Sequence, residues 1–305
     1  MQSVHLYPMK ESLFYKKLSD NKVQCQTCAH LCLIGENGFG ICHVRQNIGG
    51  RLFVLNYGRV IAEHVDPIEK KPFYQYLPGS WAYSIASRGC NFRCQHCQNA
   101  DISQVETKFS ADEYGIIRKP EEIVKAALDN NCASIAYTYT EPTIFVEYCL
   151  PIMKLAREKG LKNIWVSNGY FSDETFKVIL PYLDAINIDL KFFNKENYLK
   201  ICKARLEKVL ENITKISESK IHLEITTLII PDLNDSEQEL RAMAEFIFKL
   251  NPDIPWHLSA FHPEYKMLDK DSTPLSTLKM AHEIAKDVGL RHVYLGNVKI
   301  RVRRV

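Results

Sequence analysis

No run in this 305-residue chain approaches the ~20 apolar residues that a membrane-spanning helix needs. The opening stretch, MQSVHLYPMKESLFYKKLSDNKVQ, also lacks the apolar core of a secretory signal. An excess of one charge is missing too: 39 Lys and Arg face 36 Asp and Glu, a formal +3. That balance argues against a nucleic-acid binder, and the short basic end KIRVRRV reads as a solvated tail. Internal repeats and low-complexity tracts are absent. What remains is a cytoplasmic globular protein, ordinary in its apolar (46%) and charged (25%) content. Its length suits one large domain, or one large and one small.

Cytosolic thiols stay reduced, so the ten cysteines are expected as ligands where they cluster and not as disulfides. They do cluster. Cys25, Cys28, Cys32 and Cys42 form one group and Cys90, Cys94 and Cys97 another. Cys132, Cys149 and Cys202 stand alone in strand-like or helix-like surroundings and read as small buried hydrophobes.

From Trp81 onward, short apolar runs alternate with helical patterns. The runs are WAYSIAS (81–87), CASIAYTYT (132–140), NIWVSNG (163–169), AINIDLK (185–191), HLEITTLII (222–230), PWHLSAF (255–261) and a final HVYLG (292–296). Near-continuous apolarity rich in β-branched and aromatic residues predicts parallel strands buried on both faces. Between them, KPEEIVKAALDNN, TIFVEYCLPIMKLAREKG, DSEQELRAMAEFIFKLNP and PLSTLKMAHEIAKDVG carry helix signals, with Pro151 a kink inside the second. Six strand–helix units predict an α/β fold with a parallel sheet, as a partial (β/α)6 TIM-like barrel or an open doubly wound sheet. In both, ligands sit at the C-terminal ends of the strands.

Residues 1–75 differ. They hold the first cysteine group, several glycines and RLFVLNYGRVIAEH, which alternates like a small hairpin around Tyr57-Gly58. The stretch DPIEKKPFYQYLPGS reads as an irregular connection. The expected organisation is a cysteine-rich segment over 1–75 and a core domain over 76–305.

In SIASRGCNFRCQHCQN, Cys90, Cys94 and Cys97 are spaced C-x3-C-x2-C directly after the first strand, and a fourth cysteine is missing. A structural zinc site could recruit His96. Zinc knuckles, however, pair a C-x2-C with ligands a dozen or more residues away, and His96 lies between two of the cysteines, badly placed to reach the same ion. An iron–sulfur cube seats its ligands on separate irons, so three close cysteines can each take a corner. The fourth iron is then open to a substrate or cofactor.

This loop resembles the C-x3-C-x-φ-C hallmark of the radical S-adenosylmethionine (SAM) enzymes, with His96 in the aromatic position. The resemblance covers most of the chain and is strongest to the pyruvate formate-lyase activating enzymes, particularly the AmmeMemoRadiSam system radical SAM enzymes. It implies a partial (β/α)6 barrel and a [4Fe–4S] cluster on Cys90, Cys94 and Cys97, with SAM on the open iron. Thr140-Glu141-Pro142 stands where the superfamily has G-G-E-P, with Tyr139 and Thr140 replacing the glycines; Glu141 and neighbouring carbonyls are expected to accept from the SAM ammonium. Ser167-Asn168-Gly169 resembles the T-N-G of activating enzymes, which meets the ribose and the methionine end. Val166 stands where many of them have an acidic residue. Asp189-Leu190-Lys191 matches their D-x-K, implying that Lys191 neutralises the SAM carboxylate while Asp189 bonds ribose or positions the lysine. In WHLSAFHPEYKM, His262 at the strand end, in preference to His257, is expected to reach ribose or substrate, or else to be structural.

The implied chemistry is reductive cleavage of SAM to methionine and a 5′-deoxyadenosyl radical that takes a hydrogen atom from a substrate. It needs an external one-electron donor of ferredoxin or flavodoxin type. In activating enzymes the target is a glycine of a partner protein; another peptide, protein or small molecule is the alternative. Outside enzymes, the rival readings are an iron–sulfur electron carrier and a zinc-stabilised scaffold. Cys25, Cys28, Cys32 and Cys42, with His30 and His43 nearby, suffice for a closed second site holding structural zinc or an auxiliary iron–sulfur cluster.

Overall fold

A computed structural model describes residues 9–104 and 111–298. The basic tail at 299–305 lies outside the described residues. The chain divides into two compact units, Met1–Arg93 with Asn99–Ile186, and Cys94–Gln98 with Asn187–Val305.

In the first unit, the short strands β1 (Lys10–Glu11), β2 (Tyr15–Lys17), β3 (Val23–Cys25), β4 (Leu33–Ile34), β5 (Arg45–Ile48) and β6 (Arg51–Val54) come first. They pair antiparallel in the orders β2-β3-β4 and β1-β6-β5. Val23, Cys25, Ile34 and Leu52 pack as one small core beneath them. The hairpin turns at Gly49-Gly50, with Ile48 opposite Arg51, and not at Tyr57-Gly58. Both glycines hold positive φ, +60° and +70°, which the turn demands and a side chain resists. Past the hairpin, β7 (Arg59–Val60) pairs instead with β10 (Ile116–Ile117).

The main sheet of this unit starts with β8 (Ala62–Pro67), antiparallel to β9 (Trp81–Ala86). Parallel strands β11 (Ser134–Tyr137) and β12 (Lys162–Ser167) follow. The expected irregular connection thus gives only Asp66 and Pro67 to this edge strand, whose first residues come from the stretch expected as a hairpin. The strand's sequence, AEHVDP, is polar because an edge strand needs no apolar pair of faces. Ala82, Ala136, Ile164 and Ala185 pack with Ile68 and Phe73 as one buried cluster. Register places Ile85, Tyr137 and Trp165 level with one another, so the loops after β9, β11 and β12 leave at one edge. Strand β13 (Ala185–Asp189) carries the chain from the first unit into the second.

In the second unit, β14 (His222–Ile229), β15 (Trp256–Ala260) and β16 (Val293–Gly296) run parallel. The fold class is α/β with a mainly parallel central sheet, strands and helices alternating as expected. The anticipated helices form over Pro120–Asp129, Val146–Glu158, Glu237–Leu250 and Leu275–Val288. Pro120 opens the first, Ser236 caps the third through the Glu239 amide, and Gly289 at φ +109° stops the fourth. Val146–Glu158 continues through Pro151. Helices at Asp173–Ile179 and Leu206–Ser217 complete the alternation. The latter buries Leu206, Val209, Ile213 and Ile216, an i, i+3, i+4 stripe. Among the described residues, no helix is long and apolar enough to cross a membrane.

Candidate functional site

Each predicted site residue is placed within its own unit. In the first unit, Cys90 follows Gly89, whose φ of +102° already favours glycine. A Cβ there would also meet Val44 Cγ1 at 2.8 Å and the Cys42 carbonyl oxygen at 3.1 Å. The Cys90 sulfur accepts from the Phe92 amide at 3.3 Å and from Asn168 Nδ2 at 3.9 Å. Amide donors aimed at sulfur stabilise a thiolate ligand, so this position fits the role expected of it. Asn168 Nδ2 also donates to Asn91 Oδ1 at 2.7 Å, fixing the residue beside the cysteine.

Asn168 is fixed in turn. Its backbone amide donates to Glu141 Oε2 at 2.8 Å and its Oδ1 accepts from the Tyr170 amide at 3.0 Å. Glu141 Oε1 takes three more donors: Thr143 Oγ1 at 2.6 Å, the Thr143 amide at 3.1 Å and Ser167 Oγ at 2.8 Å. The carboxylate is buried, and burial pushes its pKa up even against those donors. Glu141 thus ties the loop after β11 to the loop after β12, and four protein donors occupy it. Thr140 Oγ1 donates to the Ser87 carbonyl at 2.7 Å, joining the first of these loops to the end of β9. Tyr139, in the place of a glycine, holds φ +62°. Its ring lies under Lys71 Nζ at 3.9 Å and its hydroxyl bonds Asp66, contacts that hold a conformation most residues avoid.

In the second unit, Asp189 Oδ2 and Lys191 Nζ pair at 2.9 Å. Burial works to lower the Lys191 pKa, but Asp189 first, then Cys94 and Cys202, outweigh it and hold the ammonium charged well above its ordinary range. Cys94 and His96 are buried and Cys97 is half-buried. His96 packs edge-on against Phe192 at 5.9 Å, and burial, with Lys191, lowers its pKa to about 3. A neutral flat ring therefore fills the aromatic position. His262 is half exposed, contacts Gln98 Nε2 through Nδ1 at 3.4 Å, and lines a cavity of about 470 Å³ with Phe261, Thr273 and Asn297. His257 points elsewhere: it is buried, bonds Glu224 Oε2 at 2.6 Å and stacks on Tyr294.

The four N-terminal cysteines line one small enclosed space in the first unit, together with His30 and Arg45. Gly40 leaves room for them; a Cβ there would sit 3.8 Å from both the Cys32 and Cys42 sulfurs. Burial, then Cys25 and Cys32, raise the Cys28 pKa, and burial pushes Cys42 up to about 11. Arg45, itself buried, counters this with positive charge and forms a two-pronged pair with Glu147, Nη1–Oε1 2.9 Å and Nη2–Oε2 2.6 Å. His30 Nε2 meets the Asn91 carbonyl at 2.8 Å, so this cysteine segment abuts the loop that carries Cys90.

Several residues here escaped the sequence reading. Asn91, Gly89 and the Arg45–Glu147 pair gave no spacing signal. Cys202, read as a small hydrophobe, lies with its sulfur within 4.8 Å of that of Cys94.

Comparison with known proteins places the chain in a family. The family model for the Radical SAM superfamily matches residues 84–247, more than half of the chain. An uncharacterized protein of Methanocaldococcus jannaschii is 45% identical over 292 residues, covering 95% of this chain and 86% of that one. A putative glycyl-radical enzyme activating enzyme of the same organism is 26% identical over 219 residues, 70% of this chain and 78% of the relative. Among solved structures, Streptococcus suis SuiB bound to S-adenosylmethionine superposes with a TM-score of 0.54 at 14% identity, over 69% of this chain and 48% of that one. A radical SAM methyltransferase from Sphaerobacter thermophilus gives 0.54 at 12% identity, over 73% and 68%. At those identities the structures speak for the fold alone. By its family match and its relatives, the chain belongs to the radical SAM superfamily.

Proposed function

We propose that Cys90, Cys94 and Cys97 hold a [4Fe–4S] cluster and that the protein uses it with SAM to take a hydrogen atom from a glycine of a partner protein. The observation that carries the cluster assignment is the Cys90 sulfur, at the end of β9, with two amide donors directed at it. When bound, the cluster and SAM supply a one-electron cleavage that yields methionine and a 5′-deoxyadenosyl radical. The chain's residues bind and orient. Asn168 holds the Cys90 loop in place, Glu141 holds the Asn168 amide, and Ser167 donates to Glu141. The Lys191 ammonium, kept charged beside Asp189, is matched to the SAM carboxylate. Thr140 and His96 shape the binding loops, and His262 is set at a strand end to meet ribose or substrate. The glycine target is supported by the similarity to activating enzymes, including the pyruvate formate-lyase-activating enzyme of Clostridium pasteurianum at 24% identity over 192 residues. A ferredoxin- or flavodoxin-like donor delivers the electron.

Within this reading, segment 1–75 carries a second centre on Cys25, Cys28, Cys32 and Cys42. Tetrahedral zinc brings thiolate sulfurs to about 3.8 Å of one another, given a Zn–S bond near 2.3 Å. Ligands on separate irons of a cube stand farther apart; four thiolates suit either, and an auxiliary iron–sulfur cluster is the assignment put to the test.

Anaerobic reconstitution followed by dithionite and SAM tests both parts. The expected result is 5′-deoxyadenosine, with deuterium carried into it from α-deuterated glycine of the partner, and iron content that falls by roughly half in Cys28→Ser. A fully loaded enzyme that makes no 5′-deoxyadenosine overturns the catalytic reading. Zinc retained by Cys94→Ala in place of iron overturns the iron–sulfur assignment of the second centre.

A further inference from the structure

Cys94, His96 and Cys202 meet in the second unit. Both sulfurs and one imidazole nitrogen lie mutually within 4.8 Å, and all three side chains are buried. This is the reach of a single tetrahedral ion, whose ligand atoms stand about 3.6–3.8 Å apart. It is too tight for neighbouring corners of an iron–sulfur cube.

Two further observations point to a ligand. Neither ring nitrogen of His96 has a hydrogen-bond partner among the described residues. A buried imidazole without one loses its solvation for nothing, and metal coordination is a usual resolution. The backbone also holds the three residues in place. The Gln95 amide, between Cys94 and His96, donates to the Ile201 carbonyl at 3.2 Å, and its carbonyl accepts from the Lys266 amide at 3.0 Å. Cys202 ends a π-helical turn over Tyr198–Cys202, closed by Lys203 at φ +58°. Such turns are uncommon and recur where a side chain must be aimed.

We propose that Cys94, His96 and Cys202 form a mononuclear Cys2His site for a soft divalent cation, Zn2+ or Co2+, in the chain that does not yet carry its cluster. Two thiols release their protons to solvent on binding, and two thiolates with a neutral imidazole then balance the 2+ charge. Three protein ligands leave a fourth position open. Cys94 cannot serve this ion and a cube together, so ion and cluster compete for it. That competition rests on the proposed cluster role of Cys94; the ion binding does not.

The test is Co2+ titration of the anaerobic, cluster-free full chain, read by its thiolate-to-cobalt charge-transfer absorption. Wild type and Cys132→Ser should bind one equivalent more than Cys202→Ser and His96→Gln, because the N-terminal cysteines contribute equally to all four. Zn2+ added first should delay cluster assembly in wild type and not in Cys202→Ser. Variants that keep the wild-type circular dichroism and titrate like wild type overturn the proposal. If Cys202→Ser folds poorly, His96→Gln decides alone. Failure of the wild type to assemble a cluster without zinc counts against the cluster reading, and leaves the cobalt result standing.

Discussion

Glu141→Gln separates two roles for one carboxylate. A side chain that serves the SAM ammonium should lose SAM affinity on this change and leave the SAM-free chain as stable as before. The structure predicts the reverse. Glu141 Oε1 accepts three donors and Oε2 accepts the Asn168 amide at 2.8 Å. Gln keeps the volume but offers one acceptor and one NH2 donor. Its best orientation saves the three bonds at Oε1 and turns the NH2 toward the Asn168 amide, donor against donor. One charge-assisted bond is lost and a buried amide is left unpaired, terms that overlap and together cost ~2–4 kcal/mol. Burying a carboxylate is itself unfavourable, as its raised pKa shows, and Gln relieves that part. The net expectation is about 2 kcal/mol of destabilisation. Urea unfolding of the cluster-free chain at neutral pH, followed by circular dichroism, reads it directly as a lower midpoint at unchanged slope. Because Asn168 steadies Asn91 and Cys90, the variant should also hold its reconstituted cluster less well. An unchanged midpoint, with SAM affinity reduced, refutes the reasoning.

Two further outcomes follow from the first unit. Gly89→Ala should destabilise by roughly 2–4 kcal/mol, adding a positive-φ penalty to overpacking against Val44 and the Cys42 backbone. Gly49→Ala, also at positive φ but with open space around it, should cost about 1–2 kcal/mol when both variants are unfolded in urea; equal losses would remove the packing argument. Acid unfolding should report the Arg45–Glu147 pair. Burial raises the Glu147 pKa, but the Arg45 guanidinium outweighs it and holds the carboxyl below its ordinary value. A depressed folded pKa contributes stability above the unfolded value of about 4.5, lost as pH falls through the folded one. Glu147→Gln should therefore lose less stability than wild type between about pH 5 and pH 3, and parallel curves would count against the pairing.

The parallel strands were legible because each is nearly uniform in apolarity. Residues such as the Ile, Trp and Val of Lys162–Ser167 have no other reason to stand together, and burial on both faces explains them. Edge strand β8 was not legible, since its polar residues answer to solvent on one side and to Asp66 partners on the other. The hairpin was misplaced for a related reason. Tyr57-Gly58 looks like a turn, but Gly49-Gly50 supplies the two positive-φ residues that a tight turn between paired strands requires.

Site residues were legible where the polypeptide concentrates them. Cys90 to Cys97 stand in one loop, and Glu141, Asn168 and Lys191 each follow a strand whose end the apolar pattern marks. Sequence marked these strand ends as the places to seek a ligand; it could not say which of their groups bond one another. Glu141 is expected to meet SAM because it stands where the superfamily has G-G-E-P. The fold also uses it to join two loops, through partners 26 and 27 residues further along the chain. Cys202 is buried, as read, but that reading missed the thiol beside it. A single cysteine in a helix-like stretch is read as a small hydrophobe because local pattern compares it only with neighbours a turn away. Whether it faces another thiol depends on how the turn at Tyr198–Cys202 is docked, here by the Gln95–Ile201 backbone bond. For a lone cysteine in this architecture, the informative neighbour is the residue across the strand end, and Cys94 with its imidazole companion makes Cys202 a ligand in waiting.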